Sequence, residues 1–194
     1  KIGFPGPRVG FFYSEAYLKI KEGNEVAIAE LALTESSSDI LFQNPASLRG
    51  FESMLHDEDF NELESMWPLA ELKLEVYREN RSIMLEVLER ELGSYPDQFK
   101  WTKPDAGFFS VFTISIPGVK TDDAFVEKLV ADYGVVVIPM YDFYPADAKK
   151  RNPLIGFDQL RLSFCFSESL GDERRQDLRE AVEAFCHAMK ELIS

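Results

Sequence analysis

Cysteine, histidine and positive charge are all scarce in this sequence, and each scarcity argues against a class of function. Only two cysteines, Cys165 and Cys186, occur in 194 residues. They form no CxxC or Cys/His metal pattern and are too few for a disulfide framework, which fits a reducing, cytoplasmic setting. The two histidines, His56 and His187, stand on or beside helical stretches without ligand spacing. Lysine and arginine number 21 against 34 aspartates and glutamates, for a net charge of −13. Most of such a surface repels a polyanion, which argues against nucleic-acid binding; an anion site would have to be a local cationic pocket working against the overall field. No run approaches the roughly 20 apolar residues of a membrane span, so no membrane partner is expected.

Aromatic residues, by contrast, are abundant. Sixteen Phe and seven Tyr gather in short apolar runs such as Gly107-Phe108-Phe109-Ser110-Val111-Phe112, a pattern of strands buried in a mixed sheet. With 45% hydrophobic residues, the chain can build one good core or a core plus part of a second. It contains no internal repeat and no low-complexity tract.

Taken in order, Arg8 to Tyr13 reads as a buried strand, and Ser14 as the cap of a short helix from Glu15 to Lys21. Glu25 to Leu33 has helical character and ends at the polar break Thr34 to Asp39. Ile40, Leu41, Leu48, Phe51 and Leu55 then space a helical face interrupted by Asn44. Asp57-Glu58-Asp59 marks a solvated bend. Trp67-Pro68 opens a helix that keeps Leu69, Leu72, Val76, Ile83 and Val87 on one face until Gly93, long enough at 1.5 Å per residue to bridge two lobes. The remainder alternates: strands at Phe99–Thr102 and Gly107–Ile114, a helix from Asp122 to Tyr133 closed by Gly134, and strands at Val135–Ile138 and Leu160–Phe166. A last helix carries Leu178, Val182, Phe185 and Met189 on its core face.

Two stretches carry chemistry. Lys1-Ile2-Gly3-Phe4-Pro5-Gly6-Pro7-Arg8-Val9-Gly10 sets an amine and a guanidinium either side of a Pro-Gly-Pro turn that folds back, so both cations can face one small ligand. A lysine that forms a Schiff base with an aldehyde and an arginine forked onto a phosphate are what pyridoxal 5'-phosphate needs. The same residues also read as a surface lysine, a loop and an arginine opening a strand. In Gln159-Leu160-Arg161-Leu162-Ser163-Phe164, alternation puts the apolar residues on one face and Arg161 with Ser163 on the other. An arginine in a strand needs an anion, either a neighbouring carboxylate or a ligand.

At these residues the chain resembles the class I/II aminotransferases of the aspartate-aminotransferase fold. Within that family the opening stretch, with Ile138-Pro139-Met140-Tyr141-Asp142-Phe143-Tyr144-Pro145, looks most like the valine–pyruvate branch. The resemblance implies an α/β fold, the C-terminal part of the PLP-dependent transferase fold. The chain starts at the lysine, without an initiator Met, where such enzymes carry a large preceding segment. Residues 1–61 would then be the end of the large cofactor domain, and residues 62–194 the interdomain helix and small C-terminal domain. The resemblance further implies that Lys1 is catalytic and bonds the cofactor, that Arg8 holds its phosphate, and that Arg161 holds the substrate carboxylate. Gln43 and Asn44 would approach the cofactor phosphate of a partner subunit, although they read equally as ordinary helix capping, and the protein would be a homodimer acting on an amino acid and a 2-oxo acid. Tyr141, with Phe143 and Tyr144, would wall the substrate pocket, although such an aromatic run also serves as core. Pro104-Asp105-Ala106-Gly107-Phe108-Phe109 is similar to a family segment with glycine where Ala106 stands, a departure that bears on the backbone angle there. The lysine and both arginines equally serve a lyase or decarboxylase on this fold, or a cofactor-sensing domain of a transcription regulator.

Overall fold

The computed structural model describes residues 14–19, 24–39, 49–50, 52–65, 67–165 and 170–193, and the chain divides into two compact units, Lys1–Lys73 and Leu74–Ser194.

In the first unit, strands β1 (Tyr17–Lys19) and β2 (Glu25–Ala27) form an antiparallel hairpin with Leu18 opposite Val26, and helix α1 (Ile28–Asp39) follows directly. Where a helix is expected over Glu15–Lys21, Tyr17–Lys19 is therefore a strand. Ser14 Oγ accepts from Ala16 N at 3.1 Å, a local turn that replaces the expected cap. A seven-residue helix has little stability of its own, and the ladder to β2 outcompetes it. The polar run expected to break the next helix lies inside α1 instead. Thr34 Oγ1 donates back to the Glu30 carbonyl at 2.9 Å, which satisfies the hydroxyl without leaving helical geometry. The strand expected over Arg8–Tyr13 and most of the helix expected over Ile40–Leu55 lie outside the described residues. At the acidic bend, Asp57 Oδ1 accepts from Asn61 N and Asp59 N, both at 2.9 Å, and these bonds hold its carboxyl below the usual range.

The boundary between the units falls inside the long helix α2 (Trp67–Leu92), whose 26 residues run about 39 Å at 1.5 Å each. Ser65 Oγ accepts from Trp67 N at 3.0 Å at its start. The second unit is a four-stranded sheet, in the order β3 (Phe99–Trp101), β4 (Phe109–Ile114), β6 (Gln159–Ser163), β5 (Ile138–Pro139). Every pairing in it is antiparallel rather than mixed. Helices α3 (Asp123–Tyr133), α4 (Ala146–Arg151) and α5 (Gly171–Glu191) complete it.

The even-numbered residues of β4 and β6 point into one core. Phe112, Ile114, Leu160 and Leu162 are buried there with Met84, Val87, Leu88 and Leu92 of α2 and Phe185, Cys186 and Met189 of α5. Phe112 stacks on Phe99 (5.7 Å between centroids) and meets Phe185 edge-on at 5.0 Å. The odd-numbered residues of the two strands share the opposite face, so sequence alternation decides which side chains are available for chemistry.

Strand β5 is shorter than the expected Val135–Ile138. Gly134, at φ +67°, caps α3, with its N–H and that of Val135 bonded back to the Val130 and Leu129 carbonyls. Val135 and Val137 are then drawn into the core before the ladder begins. Strand β6 likewise ends at Ser163. Beyond it, Phe164 N bonds the Phe108 carbonyl at 3.0 Å, and the Phe164 carbonyl accepts from the Asn80 side chain at 3.0 Å.

Candidate active site

Arg161 lies at the middle of β6, opposite Val111 of β4 on one side and Ile138 of β5 on the other. Its neighbours Leu160 and Leu162 are 0% and 7% exposed, so the strand is pinned by its core face and Arg161 has no choice but the other. The guanidinium carbon sits over two aromatic rings, 4.2 Å from the centroid of Phe109 and 4.6 Å from that of Phe143. Its Nε is buried and has no hydrogen-bond partner among the described residues. None of the ion pairs among the described residues involves Arg161. Of the two anions open to this arginine from sequence, the neighbouring carboxylate is not found among the described residues. A donor left unpaired and out of water is costly, and an anion arriving from outside relieves that cost.

Each ring is itself held. Phe109 opens β4, and the loop before it is tied to α2: Arg81 Nη1 donates to the Pro104 carbonyl at 2.8 Å, and Tyr77 meets Phe108 edge-on at 5.0 Å. The positive φ in this loop falls on Gly107 (+88°), not on Ala106, so alanine at 106 carries no strain. Phe143 ends a single 3-10 turn, Tyr141–Phe143, whose last N–H bonds the Met140 carbonyl at 3.0 Å. Tyr141 fastens that turn. Its ring stacks flat on Phe157, with 4.6 Å between centroids, and its hydroxyl donates to Asp123 Oδ1 at 2.6 Å. That bond favours the neutral phenol and pushes its pKa up to about 12. Tyr144 donates to Gln159 Oε1 at 2.7 Å.

Of the residues singled out from sequence, Arg161 and Phe143 come together, while Tyr141 is engaged with Phe157 and Asp123 one step behind them. Lys1, Arg8, Gln43 and Asn44 lie outside the described residues. No lysine among the described residues is buried. Sequence reasoning did not pick out Phe109 as a neighbour of Arg161. The signal was present in the alternation, since Phe109, Val111 and Arg161 share one face once β4 and β6 pair. A separate hollow of about 510 Å³, lined by Gly118–Lys120 and Leu154–Gln159, includes none of Arg161, Phe109 and Phe143, and its charged residues Lys120 and Asp158 are exposed.

Comparison with known proteins gives this geometry a context. Residues 1–168 match the family profile "Aminotransferase class I and II". The chain is 30% identical over 167 residues, 84% of its length, to the (S)-3,5-dihydroxyphenylglycine transaminase of Amycolatopsis orientalis, and spans 33% of that protein's length. Among solved structures it is similar to the α-aminoadipate aminotransferase of Thermus thermophilus, determined with N-(5'-phosphopyridoxyl)-L-leucine. That match has a TM-score of 0.61 and 20% identity, over 87% of this chain and 38% of that one. A multiple-substrate aminotransferase of Thermococcus profundus gives a TM-score of 0.51 and 26% identity over 66% of this chain and 27% of that one. With the profile covering residues 1–168, and relatives of the same kind on both sequence and fold, the chain belongs to the class I and II aminotransferases.

Proposed function

We propose that this chain is the C-terminal part of a pyridoxal 5'-phosphate-dependent aminotransferase that moves an amino group between an α-amino acid and a 2-oxo acid. The observation that carries the reading is Arg161: a guanidinium on the open face of a sheet, held over two rings, with a buried donor awaiting an acceptor. A planar carboxylate matches the donor fork of an arginine, and both substrates of a transamination carry one.

Lys1 and Arg8 would hold the cofactor, by its aldehyde carbon and its phosphate, with Asn44 approaching the phosphate across a homodimer interface. Bound there, the cofactor supplies the sink for the electrons released at the substrate α-carbon. Arg161 would hold the substrate by its carboxylate, and the Lys1 amine would take the α-proton and return one on the far side of the exchange. Residues 1–61 would complete the large domain and residues 62–194 form the long helix and small domain. The valine–pyruvate branch rests on the stretches Lys1–Gly10 and Ile138–Pro145 and is the first substrate pair to try.

The test replaces Arg161 by alanine and by lysine in the holoenzyme. Losing the partner of a buried carboxylate costs on the order of 2–5 kcal/mol, so kcat/KM for amino acids should fall about thirtyfold or more with the cofactor still bound. Lysine should restore little, because a point charge does not make two parallel hydrogen bonds. Normal processing of amino acids by the alanine variant would overturn the role of Arg161. Borohydride reduction followed by peptide mapping should place the cofactor on Lys1, and recovery on another lysine would overturn that assignment.

A further inference from the structure

The two rings around Arg161 do something an ion pair could not. A free arginine side chain has several rotatable bonds, and it is usually fixed by a carboxylate that occupies its N–H donors. Here no described carboxylate does so, and the guanidinium instead lies over Phe109 and Phe143 at 4.2 and 4.6 Å. A ring face holds a cation by its quadrupole and uses none of the donors. We infer that Phe109 and Phe143 are positioning residues, which hold the Arg161 fork in place for the substrate carboxylate while leaving its hydrogen-bonding capacity free. The inference rests on the assignment of Arg161 to that carboxylate.

Two features sharpen it. The rings come from separate elements, the start of β4 and the turn after β5, so the fork is fixed from two directions of the chain. Phe143 is also 51% exposed, more than burial in a core would leave it. Its replacement therefore spares the hydrophobic core, and an effect on the site can be read without unfolding the protein.

The experiment uses the holoenzyme with Phe143→Leu, Phe143→Tyr, Phe109→Leu and Arg161→Ala. It measures KM and kcat for an α-amino acid, and the rate with the matching amine that lacks the carboxylate. Leucine keeps apolar bulk and removes the ring face, so each leucine variant should raise KM for the amino acid about three- to tenfold, the worth of one cation–π contact. The rate with the amine should fall by a smaller factor than kcat/KM for the amino acid, since only the amino acid engages Arg161. Phe143→Tyr keeps the ring face and should keep KM within about twofold of the parent. If Arg161→Ala raises KM but the leucine variants do not, the positioning role is overturned and the carboxylate assignment stands. Equal impairment by Phe143→Leu and Phe143→Tyr also overturns it, since shape rather than the ring face would then be what matters. If Arg161→Ala leaves KM unchanged, the carboxylate assignment fails, and the inference with it. Should Phe109→Leu lose its fold, the two Phe143 variants decide the matter alone.

Discussion

Replacing Asn80 by alanine should destabilise the second unit more than any surface change. Asn80 is fully buried; its Nδ2 donates to the Phe164 carbonyl at 3.0 Å, and its Oδ1 accepts from Arg174 Nη1. Arg174 is itself only 4% exposed and also donates to Glu79 and, at 3.4 Å, to the Val76 carbonyl. Alanine strips a buried carbonyl of its donor, at about 1–3 kcal/mol, and a buried cation of an acceptor, at about 1.5–3 kcal/mol. The two share one network and do not simply add, so about 3–5 kcal/mol is expected. For a urea slope of about 2 kcal/mol per molar, the midpoint should drop by about 2 M. Replacing Asn80 and Arg174 together by leucine and methionine should cost less than the sum of the single changes, because the cation is removed together with the acceptor it would have lost. The measurement is urea unfolding followed by circular dichroism. Glu180→Ala, which loses only an exposed bond to Gln176, serves as control. A midpoint for Asn80→Ala within about 0.3 M of the parent would refute the reasoning, since surface changes alone stay within such a margin.

Gly156→Ala should lower the thermal midpoint and raise KM for amino acids together: φ is +81°, and the new Cβ would sit 2.8 Å from Tyr141 Cα and 2.7 Å from the Tyr144 ring, pushing on the turn that carries Phe143. The cost is about 1–3 kcal/mol, and an unchanged midpoint with unchanged KM would contradict it. Tyr141 should resist ionisation up to pH of about 12, where an ordinary phenol titrates near 10.0. Because its folded pKa is raised, the stability it contributes is complete below pH 10.0 and lost as pH climbs through about 12, which ultraviolet titration of the parent against Tyr141→Phe can follow. Of the two cysteines, exposed Cys165 should react with a thiol reagent in the native protein. Cys186, 1% exposed and with its thiol pushed up to about 12 by burial, should react only after unfolding, as peptide mapping would reveal.

Where the sequence was legible, a repeating physical pattern wrote it. The 3.6-residue spacing that reaches Val87 and, in the last helix, Phe185 and Met189, and the two-residue alternation of β4 and β6, survive because each places apolar residues in one shared core. Glu15–Lys21 misled because a short segment takes its structure from the partner it meets. Tyr17–Lys19 meets Glu25–Ala27, a pairing no local propensity encodes. Thr34 misled because its side chain found a helical acceptor where a breaker was expected. Arg161 stood out within its strand, but the company it keeps did not: Phe109 is 52 residues away and becomes its neighbour only through the β4–β6 register.

That register also bears on how Arg161 has no ion pair among the described residues of a chain with 34 carboxylates to 21 cations. Two acidic side chains in or bonded to the Phe143 turn are engaged elsewhere. Asp142 lies 4.0 Å from Lys149, and Asp123 accepts the Tyr141 hydroxyl. Farther off, Glu79 is shared by Arg174 and Arg175, and Glu91 by Arg90 and Lys190. On an acidic surface a substrate carboxylate meets repulsion until it is within a Debye length of a cation, about 8 Å at physiological salt. Inside that distance, apolar rings around the guanidinium displace water and strengthen each charge-assisted bond it can form. On the proposed reading, the same two phenylalanines that hold the fork also raise the value of an anion that reaches it, so a net acidic protein gains a local place where a carboxylate is attracted.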